Sequence, residues 1–280
     1  MEKLIKMVDP IRGIVQITTP DERWYSFPSK DEKTGLPSYE FVPSVTWIAS
    51  YYPKGREYMR WLADKGWNEA EEIKEAAGIR GTRIHHGVNL LLEGVKVAMD
   101  QPLPDQNGVL APLSAKEYEG LMSFVAFYQK YKPVLVAKDI TVRNREHGYA
   151  GTLDYVCLIL PQFADKDVPA GLWLIDFKTA KGVWPSSRIQ VSAYKKTPEV
   201  EALMKAQGVT EIHLGILQLG YEANKRGWKV TPVEDQFDLF MAARLIWANE
   251  TAGVSVKQKD YPLALSLVEE EEVLATGTTD

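Results

Sequence analysis

Apolar and polar positions follow two rhythms along this chain, and the change between them falls near its middle. Residues 14–27, IVQITTPDERWYSF, predict a β-hairpin turning near Pro20-Asp21. A polar loop follows, DEKTGLPS. Pro43-Ser44 then reads as a helix start, with the Ser44 hydroxyl as N-cap for the first turn. From there to about residue 94 helix formers dominate, in the runs KGREYMRWLADKG, NEAEEIKEAAG and RGTRIHHGVNLLLEG. Gly78 and Gly81 are expected to separate two of these helices. Residues 101–113, QPLPDQNGVLAPL, predict a Pro/Gly-bearing loop, and Ser114 with Glu117 has the capping-box spacing of a helix running to about Tyr131.

After Pro133 the pattern becomes that of strands. VLVAKDITV, YAGTLDYVCLIL and GLWLIDFKT are β-branched or aromatic runs, and the Asp/Pro-rich loop between the last two predicts an antiparallel pair. SSRIQVSAYKK, starting at Ser186 or Ser187, and VEALMKAQG predict helices, while EIHLGILQLG and GWKVTPV return to strand. Residues 234–250 predict an amphipathic helix with apolar positions at 237, 240, 241 and 245. No internal repeat is visible. The expected class is α/β, with a largely helical N-terminal half. The expected organisation is a hairpin and loop over 1–42, a helical region over 43–132, an α/β core over 133–255 and a C-terminal segment over 256–280. All four parts are expected to build one elaborated domain.

Composition narrows the function classes without choosing one. The chain has 280 residues, 45% hydrophobic and 25% charged, as in an ordinary globular protein. No apolar run approaches the roughly 20 residues that span a bilayer, so no membrane association is expected. MEKLIKMVDPIRG, with Glu2 and Asp9, lacks the apolar stretch of a secretory signal, and a cytoplasmic location is the expectation. The single Cys157 excludes an internal disulfide and any cysteine-only zinc or iron–sulfur site. The formal charge of −5 argues against a polyanionic partner, but its distribution softens this. Residues 269–280 hold four glutamates and Asp280 without a Lys or Arg; without them 33 basic residues face 33 acidic ones. The tail is expected to be disordered and solvated, and a neutral body can still present a basic groove.

Candidate chemistry gathers in the strand-rich half. Asp154 sits inside GTLDYVCLIL, a run otherwise suited to burial, where a carboxylate needs a partner; an exposed place near a strand end is the alternative. Asp176 and Lys178 are two apart in a strand and share a face, which also suits a surface ion pair. If 149–160 pairs with 171–178, Asp154 approaches Asp176. Two adjacent carboxylates repel unless protonated or bridged by a cation, and a hard cation such as Mg²⁺ suits oxygen ligands. Gln190 and Tyr194, four apart, share a helix face. His85 and His86 diverge by roughly 100° on a helix, so one at most faces a given site, and a lone helical histidine is more often structural. No phosphate loop, G-x-G-x-x-G or G-x-S-x-G motif is present. Of the eight tryptophans, Trp184 follows Lys178 in a loop, where it suits stacking on a base or closing off a core.

Taken in order, these pieces carry a resemblance. G-T-x-D at 151–154, I-D-F-K-T at 175–179 and Q-V-S-A-Y at 190–194 resemble the PD-(D/E)XK nuclease superfamily in its RecB-like branch. R-G-T-R-I-H at 80–85 resembles that branch's upstream G-T-x-x-H motif and favours His85 over His86, and Glu146 matches an acidic position before the first aspartate. PSVTWIAS at 43–50, before a Trp-bearing helix, is similar to phage-encoded RecB-like and mitochondrial genome-maintenance exonucleases. The likeness covers roughly residues 43–195. It implies a restriction-endonuclease-like mixed sheet flanked by helices. Asp154, Asp176, the Phe177 carbonyl and His85 would ligate one or two Mg²⁺ or Mn²⁺ ions, without an iron–sulfur cluster. Lys178 would position the attacking water, and Gln190 and Tyr194 would support it and contact the DNA backbone. The implied activity is a DNA exonuclease leaving 5′-phosphates, in recombination or DNA processing for a phage or mobile element. Its substrate would be single-stranded or bear a free end, with a recombination or single-strand-annealing protein as partner. A structure-specific endonuclease and a catalytically inert DNA-binding recombination-accessory protein are the alternatives.

Overall fold

The computed structural model describes residues 4–19, 22–30, 35, 37–221 and 225–252. Four strands open the chain, β1 (Leu4–Asp9), β2 (Ile14–Thr18), β3 (Arg23–Lys30) and β4 (Pro37–Pro43), paired antiparallel in chain order. The hairpin expected over 14–27 is β2–β3, with Thr18 opposite Arg23, while Pro20 and Asp21 lie outside the described residues. Strands outnumber helices in the first half of the chain, which corrects the expectation of a largely helical N-terminal half and of a mere hairpin and loop over 1–42. Neither LIKMVD nor PSYEFVP alternates cleanly; each becomes a strand by pairing with an edge of the hairpin.

Helices follow: α1 (Val45–Ser50), α2 (Arg56–Lys65) and α3 (Trp67–Leu92). Ser44 caps α1 as expected, its Oγ accepting from the Trp47 amide at 3.0 Å. The expected break at Gly78 and Gly81 is absent, because α3 runs through both for 26 residues. A helical glycine weakens a helix by only about 1 kcal/mol, and here it admits a neighbour: a Cβ on Gly78 would lie 2.6 Å from Gln106 Oε1. The break falls instead at Gly66, whose φ of 74° no β-carbon residue adopts readily. The loop expected over 101–113 contains two short paired strands, β5 (Leu103–Pro104) and β6 (Leu110–Ala111). Helix α4 (Ala115–Tyr131) starts on the reciprocal Ser114–Glu117 capping box.

The central sheet contains β7 (Val134–Asn144), β8 (Tyr149–Ile159) and β9 (Gly171–Lys178). Helices α5 (Pro185–Lys195) and α6 (Pro198–Ala206) cross over to β10 (His213–Leu219), before β11 (Trp228–Val233) and α7 (Phe237–Glu250). The sheet order is β11-β10-β9-β8-β7, parallel only between β9 and β10. The protein is therefore a mixed α/β structure with a five-stranded mixed sheet. One apolar layer packs α1, α5 and α7 on the sheet through Ile48, Ile189 and Phe240; the other packs α3 and α4 through Val88 and Phe124. In α7, Phe240 and Ala243 are buried, whereas Leu245, expected on the apolar face, is 72% exposed. Phe237 and Met241 pack against the core as expected, joined by Trp247.

Strand β8 changes partners part-way. Tyr149, Leu153 and Val156 belong to the α1/α5/α7 layer, while Tyr155, Cys157 and Ile159 belong to the α3/α4 layer. Residues 153 and 156 cannot share a face at a strict period of two, so β8 twists around Asp154. Opposite this twist, Asp139 of β7 holds a left-handed φ of 47° between two regular pairs, Lys138 with Tyr155 and Ile140 with Leu153. Pairing with β9 begins only at Tyr155–Ile175. The free part of β8 meets the N-terminal sheet instead, through a Ser44–Ala150 bridge and a 3.0 Å hydrogen bond between the Tyr25 and Thr152 hydroxyls. The candidate site lies in this fork.

Candidate active site

The fork brings the sequence motifs together. One more step of the β8–β9 register would set Asp154 opposite Asp176. Instead the Asp154 carboxylate replaces the ladder, its Oδ2 accepting from the Phe177 amide at 2.8 Å. Its Oδ1 lies 3.6 Å from Nδ1 of His85 on α3, and His85 Nε2 lies 3.3 Å from the Phe177 carbonyl oxygen. Asp176 is buried; its Oδ1 accepts from Gln190 Nε2 at 3.1 Å. The same Gln190 nitrogen donates to the Tyr194 hydroxyl at 2.9 Å. Asp176 Oδ2 is ion-paired with the Lys178 ammonium at 2.5 Å and has no other partner among the described residues. Strand alternation thus sets Asp176 beside Lys178, and α5 closes the site from that face.

The charges in the fork are out of balance with their burial. Burial raises both Asp154 and Asp176 to about 6; Lys178 opposes this in each case, and the Asp154 charge adds to the rise at Asp176. Burial alone would lower Lys178, but the two carboxylates outweigh it and hold the ammonium charged. His85 is lowered, first by burial and then by Lys178, so its imidazole is neutral at neutral pH and its ring nitrogens can bind as well as donate. Lys178 keeps 28% of its side chain exposed towards a cleft of about 660 Å³ that also reaches Asp154 and His85.

Other expected residues are placed differently. His86 lines the same cleft, about 100° around α3 from His85. Tyr194 is buried, so it props Gln190 rather than reaching a substrate backbone, which corrects that part of its expected role. Glu146 is exposed in the turn between β7 and β8, lining a separate hollow with Arg143 and Glu199. The strand from Tyr149 to Asp154 alone, at about 3.3 Å per residue, separates it from the fork by roughly 17 Å, so Glu146 is not part of the site. Sequence reading missed Asp139, whose carboxylate also lines the cleft and accepts a hydrogen bond from Asn89 of α3. Its one signal was a charged pair, Lys138-Asp139, interrupting an apolar run. It also missed the far wall of the cleft, where Lys6, Gln16 and Arg23 come from the N-terminal sheet.

The donor set fits a hard cation better than a soft one. Among the described residues no three His, Cys, Asp or Glu side chains form a metal-holding group. Two carboxylates, one carbonyl and one histidine are mostly oxygen donors without a thiolate, and Mg²⁺-like ions keep several waters and use one or two carboxylates. Asp176 Oδ2, buried and met only by the Lys178 ammonium among the described residues, is the oxygen a metal ion would share with that lysine. No protein-family model matches the chain, and no curated protein matches it.

Proposed function

We propose that this protein is a metal-dependent deoxyribonuclease with a PD-(D/E)XK site on a restriction-endonuclease-like core. The supporting observation is the fork itself: Asp154, Asp176 and Lys178 meet where β8 and β9 part, with Gln190 and His85 held against them. The five-stranded mixed sheet with helices on both faces supports the same reading.

Each residue has a role in phosphodiester hydrolysis. Asp154, Asp176, the Phe177 carbonyl and His85 would hold one or two Mg²⁺ or Mn²⁺ ions. Such an ion supplies Lewis acidity and lowers the pKa of water. Gln190 fixes one oxygen of Asp176, and the other, now paired with Lys178, would turn to the ion. The Phe177 amide fixes one oxygen of Asp154 in the same way. Lys178 keeps its proton, so it serves by holding the attacking water and offsetting charge on the phosphate rather than as a base at rest. We favour exonucleolytic action leaving 5′-phosphates, in DNA processing or recombination.

The test uses single- and double-stranded DNA labelled separately at each end, incubated with Mg²⁺, with Mn²⁺ and with chelator. Cleavage should require the metal, and Lys178→Ala should reduce it by orders of magnitude while DNA binding stays within a few-fold. Release of terminal nucleotides supports the exonuclease, and internal fragments would assign an endonuclease. Cleavage that persists in chelator, or equal loss of binding and cleavage in Lys178→Ala, would overturn the assignment of the site.

A further inference from the structure

We propose that α2, the start of α3 and Trp184 form a base-stacking platform that holds unpaired nucleobases of the strand being cut. The inference rests on the nuclease reading and concerns what the site accepts. Helix α2 carries Tyr58, Met59, Trp61 and Leu62, yet none of its residues is buried. Met59 is 59% exposed, Trp67 67% and Trp184 48%. The rings are nonetheless arranged: Tyr58 lies 5.6 Å from Trp61 and 6.3 Å edge-on from Trp184. Lysines are threaded between them. Lys54 and Lys74 stand 5.7 and 5.8 Å from the Tyr58 ring centre, and Lys74 is 5.7 Å from that of Trp67.

Flat faces interleaved with cations match what a single strand presents, bases with open π-faces on a polyanionic backbone. In a duplex those faces are already stacked. The patch is continuous with the catalytic cleft. Lys74 precedes Ala77 and Gly78 of the cleft wall by one turn of α3, about 6 Å. Trp184 follows Ala180, on the opposite wall, by four residues. Gly81 of α3 sits beside Thr179, next to Lys178, and from it the helix axis reaches Lys74 in about 10 Å and Trp67 in about 21 Å, so a strand with a phosphate at Lys178 that runs along α3 meets the platform.

The test compares a thymidine oligonucleotide with an abasic strand of equal length, which keeps the phosphates and removes the bases. Affinities are measured by fluorescence anisotropy in chelator, for the wild type and for Trp184→Ala and Trp67→Ala, both at exposed positions. The wild type should bind the thymidine strand on the order of tenfold tighter than the abasic one. Each variant should lose much of that difference while its salt slope stays the same, since no phosphate contact is removed. Equal wild-type affinity for both strands overturns the inference, as does equal weakening of both by the variants. Self-association of the protein that Trp67→Ala abolishes overturns it too, by assigning the patch to a second copy. A wild type that binds the strands equally but still cuts DNA leaves the nuclease reading standing; one that neither binds nor cuts removes both.

Discussion

At neutral pH Asp154 and Asp176 carry charge in a setting that disfavours it, and this makes the site's state measurable without a substrate. Each carboxyl titrates near 6 in the folded protein against 3.8 ordinarily. Between these values the native state binds more protons than the unfolded one, so the stability these groups contribute falls as pH rises from about 4 to beyond 6. In chelator, the wild type should therefore lose stability relative to Asp154→Asn across that window, read as the gap between their melting temperatures. A gap that stays constant or moves the other way refutes the burial argument. Protons compete with metal for the same oxygens, so Mn²⁺ affinity by calorimetry should weaken as pH falls through about 6 and drop at least tenfold in Asp176→Ala. Asp176 and Lys178 were legible because i and i+2 share a strand face. Asp139 was not, since its place in the cleft depends on where β7 lies against α3, which local pattern does not record.

Elements are held in place here by missing side chains. A Cβ on Gly151 of β8 would sit 2.5 Å from Tyr194 Cε1, so the ring that props Gln190 rests directly on strand backbone. Gly151→Val should destabilise the fold by about 1–3 kcal/mol through overpacking and reduce cleavage more than DNA binding, measured by denaturant titration and turnover. Between α3 and α4 the fit is reciprocal, with Gly87 against Leu121 and Gly120 against Ile84, the neighbour of His85. Sequence reading took Gly78 and Gly81 of α3 for a helix break, because local propensity cannot see the partner that makes a small residue useful. It located α4 correctly because its capping box is local.

At the scale of the whole molecule, the N-terminal sheet is tied to the five-stranded sheet. The Arg143 guanidinium of β7 lies 4.4 Å from the Phe27 ring centre and pairs with Glu40, and Arg12 donates to the Thr141 carbonyl at 2.5 Å. Thermal unfolding should show one transition by calorimetry, and Arg143→Ala should lower stability by roughly 1–3 kcal/mol. Two separate transitions would mean that the sheets fold independently. The formal charge of −5 gives no global attraction for DNA, so binding must draw on local cations such as Lys6 and Arg23 in the cleft wall. Affinity for DNA should fall steeply with salt, and a flat response would count against a nucleic-acid substrate.

By itself the sequence determined the order of strands and helices from Ser114 onward, the antiparallel β8–β9 pair, and the residues that could meet across it. Periodicity and capping act over a few residues, so a single chain displays them. The tertiary structure alone decided that β8 parts from β9 at Asp154, that Glu146 stays outside, and that a four-stranded sheet walls the cleft. These depend on contacts between residues far apart in the chain, such as Arg12 and Thr141, 129 positions apart, and local pattern carries no record of such distances.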